Sequence, residues 1–367
     1  MKSLNKRDLS KSQTWIEINK EALLNNISQI KKQLKSSVKF MAVVKANAYG
    51  HGLLEVVEAI QNKVDYLAVF SFEDAVLLRE QGVKKPLLVQ SRIFPKQINL
   101  AIKHDIEVTV STLDILQKVK KNLKIHICVD TGLGRDGFVS SDLKKIASLL
   151  KKTSAKLCGI YGHFAAADDS KFDDYSKKQI QELLRWKKEL ACPLFHHAAS
   201  AGTVYGKNHP DFEMVRIGIA LYGLWPSPER NKSIKLEPVL SWRARITEIK
   251  SLPKGSVISY GCTHILERDS KVALVPIGYY DGISRLSSGK SQVILCGKKV
   301  PQIGRVTMNL IVIDVTDVER AKVGDVATII GQDGDAEVTA NDWANWSQTS
   351  NYEVVTRLNS ALKRIVF

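Results

Sequence analysis

The amino-acid sequence predicts an α/β protein in which an N-terminal (β/α)8 barrel of the TIM type is followed by a mostly β C-terminal domain. From residue 38 to about residue 220, short apolar runs alternate with amphipathic stretches of helical period. Strands that alternate with helices form parallel sheets through right-handed crossovers. Beyond residue 236, short alternating runs are separated by Gly and Asp turns, which is typical of antiparallel β structure. The length of 367 residues leaves room for both domains.

The predicted barrel strands are apolar on both faces, as strands between a barrel interior and its outer helices must be. The eight runs are Val38–Val44, Tyr66–Phe70, Leu87–Gln90, Ile106–Val110, Lys124–Val129, Leu157–Tyr161, Leu194–Ala198 and Met214–Ile219. Helices are predicted between them, for example over Leu53–Asn62, Glu73–Gln81, Leu113–Lys121, Asp142–Lys151 and Tyr175–Leu190. Eight such units favour a closed barrel, and no G-x-G-x-x-G follows the first strand, which argues against a dinucleotide-binding sheet.

The second domain is predicted from five alternating runs. They are Val239–Ile249, Lys271–Ile277, Gln292–Leu295, Leu310–Val315 and Asp325–Ile330. The Pro-Ser-Pro-Glu-Arg-Asn segment at residues 226–231 marks the boundary. We therefore expect a barrel domain at residues 1–236, with an N-terminal leader, and a β domain at residues 237–367.

The composition is that of an ordinary water-soluble globular protein rather than a membrane or nucleic-acid-binding protein. Hydrophobic residues make up 44% and charged residues 25% of the chain. No apolar run reaches the roughly 18 residues that span a bilayer, and the polar, basic leader Met1–Gln13 does not resemble a signal peptide. We expect a cytoplasmic protein. The net charge of +16 comes from lysines at helical spacing without any nucleic-acid-binding motif, so no nucleic acid is expected as a partner.

The five cysteines predict neither disulfides nor a metal site. They are widely spaced, odd in number and contain no C-x-x-C pair. We expect reduced thiols and no bound metal.

Polar side chains follow five of the predicted strands at their carboxyl ends, where barrels of this type carry their active sites. These residues are Lys45, Arg135, His163, Ser200 and Arg216. Burial at the end of an apolar strand lowers the pKa of a lysine and makes its amine nucleophilic. For Lys45 alone, the alternative is a lysine that reaches solvent at the start of a loop.

The loops after strands seven and eight contain Ser200 and the Gly218–Ile219 backbone. Barrels often bind a phosphate at this place. For Ser200 alone, the commoner role is a helix N-cap. A phosphorylated aldehyde cofactor would use both the strand-end lysine and these loops.

The segment Ala42–Gly52, which contains Lys45, resembles the pyridoxal phosphate attachment motif of the alanine racemase family. Further segments resemble the family in the same order along nearly the whole chain: Asp130–Arg135, Gly162–Phe164, Val215–Gly223, Ser259–Gly261, Gly278–Gly282, Gly304–Met308 and Asn351–Glu353.

The resemblance implies a barrel joined to a β domain, working as a head-to-tail homodimer with pyridoxal 5′-phosphate on Lys45. It also implies which residues bind the cofactor. Those assigned to the phosphate are Tyr49, Ser200, Gly218, Ile219 and Tyr352, and Arg216 would face the pyridine nitrogen. Because arginine only donates hydrogen bonds, that nitrogen should stay unprotonated, which favours proton removal and return over side reactions such as transamination.

Racemisation needs an acid-base group on each face of the substrate. The resemblance implies Lys45 for one face and Tyr260 for the other, with Tyr260 reaching the barrel of the partner subunit. A tyrosine acting as a base near neutral pH needs positive neighbours, and the resemblance implies that His163 and Arg216 form that network. Without the resemblance, Tyr260 would be interpreted as a strand tyrosine at a hairpin.

The resemblance also implies the substrate site. Arg135 and the backbone at Met308 would bind the substrate carboxylate, and Tyr279 and Tyr352 would crowd the space for the substrate side chain. The implied activity is the interconversion of L-alanine and D-alanine, which supplies D-alanine for peptidoglycan. The residues expected at the entrance are Asp168, Tyr279, Asp281 and Arg285.

Three positions depart from the commonest family pattern. Cys128 replaces a lysine, often carbamylated, that orients the substrate-binding arginine; Arg135 would then rely on a bound anion or on a partly ionised Cys128. Ala199 replaces an asparagine and Asn309 an aspartate. These departures keep a racemase of serine, lysine or many amino acids as an alternative. A barrel-type pyridoxal decarboxylase and a non-enzymatic pyridoxal phosphate carrier match the sequence less well.

Overall fold

The structure, a computed structural model, describes residues 12–207, 211–227 and 234–367. The first eleven residues of the predicted leader and residues 228–231 of the predicted boundary segment lie outside these ranges. Within them, no helix is long and apolar enough to cross a bilayer.

The strands are, in chain order, β1 (Thr14–Ile18), β2 (Lys39–Val43), β3 (Tyr66–Val69), β4 (Leu87–Arg92), β5 (Glu107–Val110), β6 (Lys124–Cys128), β7 (Lys156–Tyr161), β8 (Phe195–His196), β9 (Met214–Ile217), β10 (Leu240–Arg245), β11 (Glu248–Leu252), β12 (Val257–Ile258), β13 (His264–Ile265), β14 (Ser270–Val275), β15 (Gln292–Leu295), β16 (Lys298–Ile303), β17 (Ile311–Asp314), β18 (Val326–Asp333), β19 (Ala336–Val338) and β20 (Lys363–Val366). The helices are α1 (Lys20–Lys31), α2 (Lys45–Tyr49), α3 (Leu53–Ile60), α4 (Phe72–Glu80), α5 (Ile98–Lys103), α6 (Leu113–Leu116), α7 (Leu143–Lys152), α8 (Asp173–Glu189), α9 (Ser200–Val204), α10 (Ala340–Ser347) and α11 (Asn351–Thr356).

The chain divides into two compact units. The first comprises Glu21–Ala46 and Val56–Glu237, and the second comprises Pro238–Phe367, Asn47–Glu55 and the described part of Lys2–Lys20.

The first unit is the predicted closed barrel. Strands β2 to β9 pair in parallel in chain order, and β2 closes the barrel against β9 with Lys39 opposite Met214. Every residue of β3, β5 and β9 is buried, as expected of strands covered on both faces. All eight predicted barrel strands are confirmed, although β8 is shortened to two residues.

The helices of the barrel differ from the prediction mainly in their ends. The helix predicted over Leu113–Lys121 ends at Leu116, since the Lys-rich stretch beyond it adds no apolar face to pack against the barrel. Helix α4 begins at a regular N-cap, where the Ser71 hydroxyl accepts a hydrogen bond from the Asp74 amide at 3.1 Å.

The second unit is mostly β, as predicted. Its main sheet has ten strands in the order β11-β14-β17-β16-β15-β18-β10-β1-β20, with β19 paired to β18. The run predicted over Val239–Ile249 is divided into β10 and β11 around residues 246 and 247. Strand β10 alternates between buried and half-buried residues, which is the pattern of a strand with one covered face.

Strand β1, which was not predicted, joins the sheet of the second unit between β10 and β20. Its Ile16 lies opposite Trp242 in an antiparallel pair and opposite Arg364 in a parallel pair. The structure also adds the helices α10 and α11, and a capping box between Thr339 and Asp342 begins α10.

Candidate active site

Lys45 directly follows the buried residues Val43 and Val44 at the carboxyl end of β2. Burial lowers the pKa of its amine, and the positive charges of Arg135 and Arg216 lower it further. Its Nζ lies 6.0 Å from the centre of the Phe70 ring. A strand-end lysine with a lowered pKa was expected at this place. The amine is therefore more readily available in its neutral, nucleophilic form than that of an exposed lysine.

The backbone after Lys45 forms a left-handed turn. The φ angles of Ala46, Asn47, Ala48 and Tyr49 are 52°, 54°, 52° and 52°, although left-handed helix costs L residues about 1–2 kcal/mol each. The Asn47 side chain helps to hold the turn, because its Oδ1 accepts a hydrogen bond from the Leu53 amide at 2.8 Å. Strain of this kind is concentrated at functional sites.

Arg216 lies at the carboxyl end of β9 and is 2% exposed. Its Nη2 donates to the carbonyl oxygens of Gly162 at 2.7 Å and His197 at 3.0 Å, and to Nδ1 of His163 at 3.0 Å. Its Nη1 donates to Nδ1 of His196 at 2.7 Å and to the His196 carbonyl oxygen at 3.1 Å. In the described part of the chain no hydrogen bond involves Nε. The guanidinium is thus fixed through its two Nη atoms and keeps one N–H for another acceptor.

His163 is neutral in this arrangement, and so it is not the positive neighbour of Tyr260 that was expected. Burial lowers its pKa well below the usual range, and the charges of Arg216 and Arg135 lower it further. Gln179 of α8 holds the loop that begins at His163: its Nε2 donates to the His163 carbonyl oxygen and its Oε1 accepts from the Ala165 amide, both at 3.0 Å. Asp168 is half-buried in the same loop.

Ser200 connects the two loops predicted to bind a phosphate. Its Oγ accepts hydrogen bonds from the amides of Gly218 at 2.9 Å and Ala220 at 3.3 Å. The N-cap interpretation of Ser200 is wrong: the N-cap of α9 is Ala199, and Ser200 is its first helical residue. A hydroxyl group has one proton to donate, and for Ser200, which is 4% exposed, that proton has no acceptor among the described residues.

Arg135 lies exposed on the loop that follows β6. Asp130 stabilises this loop, because its Oδ1 accepts hydrogen bonds from the amides of Gly132, Leu133 and Gly134 at 2.8–3.0 Å. The Tyr175 hydroxyl donates to the Gly132 carbonyl oxygen at 2.5 Å. Asp130 and Tyr175 thus hold the backbone of the loop that carries Arg135.

Cys128 is buried at the end of β6, and its thiol lies 3.6 Å from the Asp136 carbonyl oxygen. Burial, and then the negative charge of Asp136, raises the pKa of the thiol to about 12. The expectation of a partly ionised Cys128 is therefore wrong. All five cysteines are free, and Cys262 is exposed.

The other predicted site residues lie in the second unit. Tyr49 and Tyr352 approach each other with their ring centres 6.4 Å apart, and burial raises the pKa of Tyr49 to about 12. Tyr260 is 73% exposed and follows Ser259, which has a φ of 65° and a hydroxyl that donates to the Arg305 carbonyl oxygen at 2.8 Å.

Tyr279 and Met308 are brought together by backbone hydrogen bonds between residues 278–280 and 307–308. The Tyr279 amide donates to the Thr307 carbonyl oxygen, and the Tyr280 amide to that of Met308, both at 3.0 Å. Gly278 is required here, because a Cβ would lie 2.3 Å from the Met308 carbonyl oxygen. Asp281 is buried, whereas Arg285 and Asn309 are exposed.

Three buried polar residues of the barrel were not recognised in the sequence: His196, which is hydrogen-bonded to Arg216, and His126 and Glu107 beyond it. Each lies inside a predicted barrel strand. The available signal was an ionisable side chain within an otherwise apolar run.

Comparison with known proteins points to one family. The family model "Alanine racemase, N-terminal domain" matches residues 18–226, and "Alanine racemase, C-terminal domain" matches residues 239–366. Alanine racemase 2 of Caldanaerobacter subterraneus subsp. tengcongensis is 38% identical over 366 residues, covering 96% of this chain and 94% of that protein. The alanine racemase of Leptospira interrogans is 39% identical over 372 residues, covering 96% and 95%.

Solved structures agree with these sequence matches. The alanine racemase of Bacillus anthracis with bound L-Ala-P has a TM-score of 0.89 and 35% identity, covering 97% of this chain and 95% of that one. The alanine racemase of E. faecalis has a TM-score of 0.91 and 31% identity, covering 97% and 98%.

Proposed function

The chain belongs to the alanine racemase family, and from this premise we propose that Lys45 and Tyr260 are the two acid-base groups with which it works. Its activity is the interconversion of L-alanine and D-alanine, and its cofactor is pyridoxal 5′-phosphate. The observation that carries the proposal is the position of Lys45 at the end of β2, where burial and then the charges of Arg135 and Arg216 lower its pKa. The D-alanine formed would supply peptidoglycan.

The buried groups of the first unit suit pyridoxal phosphate. The unused Ser200 proton and the start of α9 suit a phosphate group. The Nε–H of Arg216 suits a ring nitrogen, which can only accept when it is unprotonated. The lowered pKa of Lys45 suits attachment to an aldehyde. We assign the cofactor to Lys45, Tyr49, His163, Ser200, Arg216, Gly218, Ile219 and Tyr352.

When bound, pyridoxal phosphate withdraws electrons from the Cα atom of the amino acid and so makes the Cα proton acidic. A proton removed from one face of Cα must be replaced from the other face to invert the configuration. Lys45 Nζ would act on one face and Tyr260 Oη on the other. His163, whose Nδ1 accepts from Arg216, would offer its Nε2–H to the phenolate form of Tyr260.

Arg135 and the Met308 backbone would bind the substrate carboxylate, because a guanidinium and a backbone amide both donate hydrogen bonds to it. Asp168, Tyr279 and Arg285 would line the entrance. A racemase of serine or lysine is not favoured, since the relatives compared are alanine racemases.

We assign Tyr260 to the active site of a partner subunit in a homodimer. Tyr260 is 73% exposed in the single chain, whereas a tyrosine that acts as a base near neutral pH needs an environment that stabilises its phenolate. Several further apolar side chains of the second unit are exposed, namely Tyr279, Tyr280, Met308 and Leu310, as on a surface that a second copy covers. We also propose a barrel domain at residues 1–236, a β domain at residues 237–367, and a cytoplasmic location, which suits free thiols.

The test is to incubate the purified protein and pyridoxal phosphate with pure L-alanine and to measure both enantiomers by chiral chromatography. We expect D-alanine to accumulate until the two enantiomers are equal, and the same end point from D-alanine. L-serine and L-lysine, in parallel, measure the preference for alanine. L-alanine that stays optically pure would overturn the proposal, as would racemisation by a Lys45→Ala variant at the rate of the unmodified protein.

A further inference from the structure

A line of hydrogen-bonded polar side chains crosses the interior of the barrel. Glu107 Oε2 lies 2.7 Å from His126 Nε2, His126 Nδ1 lies 3.2 Å from His196 Nε2, and His196 Nδ1 lies 2.7 Å from Arg216 Nη1. These residues are 4%, 0%, 0% and 2% exposed in that order. Barrel interiors of this type are usually filled by branched apolar residues, and buried ionisable groups are costly unless they are paired.

The line connects the two ends of the barrel. Glu107 is the first residue of β5, at the amino end, whereas Arg216 lies near the carboxyl end of β9, where the proposed active site is. Between them, the His196 ring stacks on the Tyr161 ring with centres 4.9 Å apart. The imidazoles of His126 and His196 thus connect Glu107, at the amino end of the barrel, to Arg216.

The groups at the two ends fix where the protons lie. Arginine can only donate, so Nδ1 of His196 must accept and its proton must be on Nε2. His196 Nε2 then donates to His126 Nδ1, which leaves the His126 proton on Nε2 to be donated to Glu107. Every hydrogen bond therefore points from Arg216 to Glu107. In this arrangement each imidazole accepts at Nδ1 and donates from Nε2.

Glu107 is the carboxyl group at the far end of the line from Arg216. The direct hydrogen-bond acceptors of Arg216 are carbonyl oxygens and imidazole nitrogens, and no carboxylate of the described residues forms an ion pair with it. Burial lowers the pKa of Arg216 to about 10. Among the described residues, the hydrogen-bonded line through His196 and His126 is what connects Arg216 to a carboxyl group.

The neighbouring strand leaves space for this line. Gly159 of β7 lies opposite His126, and a Cβ on Gly159 would lie 2.2 Å from His126 Nδ1. Any other residue at this position would displace the imidazole. The hydrogen-bonded line therefore depends on a glycine at position 159 as well as on its four polar residues.

We propose that Glu107 is a positioning residue that acts through His126 and His196 to hold Arg216 charged and oriented, with its Nε–H available to the pyridine nitrogen. This inference rests on the proposed function, which assigns Arg216 to that nitrogen. Loss of the line would leave the guanidinium less well placed and would weaken the control of side reactions.

The first test uses the protein without cofactor and does not depend on activity. Nitrogen NMR of protein labelled with ¹⁵N-histidine distinguishes the two neutral tautomers from the charged form, and His126→Asn and His196→Asn variants assign the signals. We expect both histidines to carry one proton, on Nε2, at pH 7. A proton on Nδ1 of either histidine would overturn the proposal.

The second test replaces Glu107 by Gln, which keeps an acceptor for His126 and removes the charge. Glu213→Gln is the matched control, because Glu213, like Glu107, lies at the amino end of a barrel strand, directly before β9. Its carboxylate accepts from the Phe195 amide at 2.7 Å and pairs with Lys187. The readout is the ratio of racemisation to transamination of L-alanine, which does not depend on how much protein is folded. We expect Glu107→Gln to lower this ratio about tenfold. This is the lower end of the effect seen at metal sites when a hydrogen-bond partner of a metal ligand is removed.

The outcomes are distinguishable. A ratio in Glu107→Gln equal to that of the unmodified protein and of Glu213→Gln would overturn the inference while leaving the proposed function intact. An unmodified protein that racemises nothing would overturn the proposed function, and the NMR measurement would still decide whether the line exists. Gly159→Ala, which displaces His126 without removing a charge, should lower the ratio as Glu107→Gln does.

Discussion

Nη2 of Arg216 lies 3.0 Å from Nδ1 of His163, so the guanidinium donates to the imidazole. The proton of His163 must then be on Nε2, because a neutral imidazole carries only one. Burial lowers the pKa of His163 well below its usual range and keeps it neutral. The ring therefore acts as a hydrogen-bond donor on its far side, and this is the side that we assign to Tyr260.

The first prediction concerns Tyr260. Replacing it by Phe should lower the rate of racemisation by about 10²–10⁴-fold, the usual contribution of a general acid-base group, and should leave cofactor absorbance unchanged. Tyr280→Phe, which removes a hydroxyl from an exposed tyrosine of the same unit, is the matched control. Chiral chromatography measures both variants. Equal rates for Tyr260→Phe and the control would contradict the two-base proposal.

A shared active site predicts complementation between two inactive variants. Lys45→Ala and Tyr260→Phe subunits, unfolded together and refolded as a mixture, should regain about a quarter of the full activity, since half the dimers are mixed and each has one intact site. Each variant refolded alone is the control. A mixture as inactive as its components would show that Lys45 and Tyr260 act within one chain.

The loop of Arg135 depends on Asp130, whose Oδ1 accepts three loop amides. Asp130→Ala should raise the KM for L-alanine about tenfold, because the three unpaired amides let the loop move and displace Arg135. Cofactor affinity should be unchanged. Asp174→Ala, which removes an exposed carboxylate paired with Lys177, should leave KM as it is. An unchanged KM in Asp130→Ala would show that the loop holds Arg135 without this carboxylate.

Gly50 is required by its conformation and by a close approach. Its φ is +80°, and a Cβ would lie 1.8 Å from the Val355 carbonyl oxygen. Gly50→Ala should lower the free energy of unfolding by about 3 kcal/mol or more, whereas Gly82→Ala, at φ +84° with no atom within 4 Å of the added Cβ, should lower it by only about 1 kcal/mol. Urea denaturation of both variants separates the collision from the backbone strain. Equal losses would mean that the backbone near Gly50 moves aside.

His51 predicts a specific acid sensitivity. Burial lowers its pKa from 6.5 to about 4, and its Nδ1 lies 2.8 Å from the Tyr49 carbonyl oxygen. Between these two pH values the unfolded chain binds the proton and the folded chain does not, so stability is full above pH 6.5 and falls as the pH drops to 4. In His51→Gln, the loss of unfolding free energy between pH 7 and pH 4 should be smaller by about 3 kcal/mol. Identical pH profiles in urea denaturation would contradict this.

The barrel strands were predictable because both of their faces are buried, which leaves continuous apolar runs such as Tyr66–Phe70. The strand Thr14–Ile18 was not recognised, because it adjoins a polar leader and its partners are at the other end of the sequence, in β10 and β20. Pairing over such a distance depends on the tertiary structure and leaves no local pattern.

The sequence predicted those site residues whose type is unusual for their position in a strand or loop. Lys45 at the end of an apolar run is such a residue. The left-handed backbone of Ala46–Tyr49 is not, since neither Ala nor Tyr favours positive φ. His126 and His196 were treated as ordinary strand residues, because their significance depends on Glu107 and Arg216, which only the closed barrel brings together.

Cys262 can be labelled selectively, because the other four thiols have raised pKa values. Burial raises the pKa of Cys128, Cys158, Cys192 and Cys296 and keeps these thiols protonated and slow to alkylate. Cys262 is exposed, two residues after Tyr260. A maleimide fluorophore would therefore attach selectively next to the proposed base in the natural sequence, and its emission would report in real time when a second subunit covers that turn.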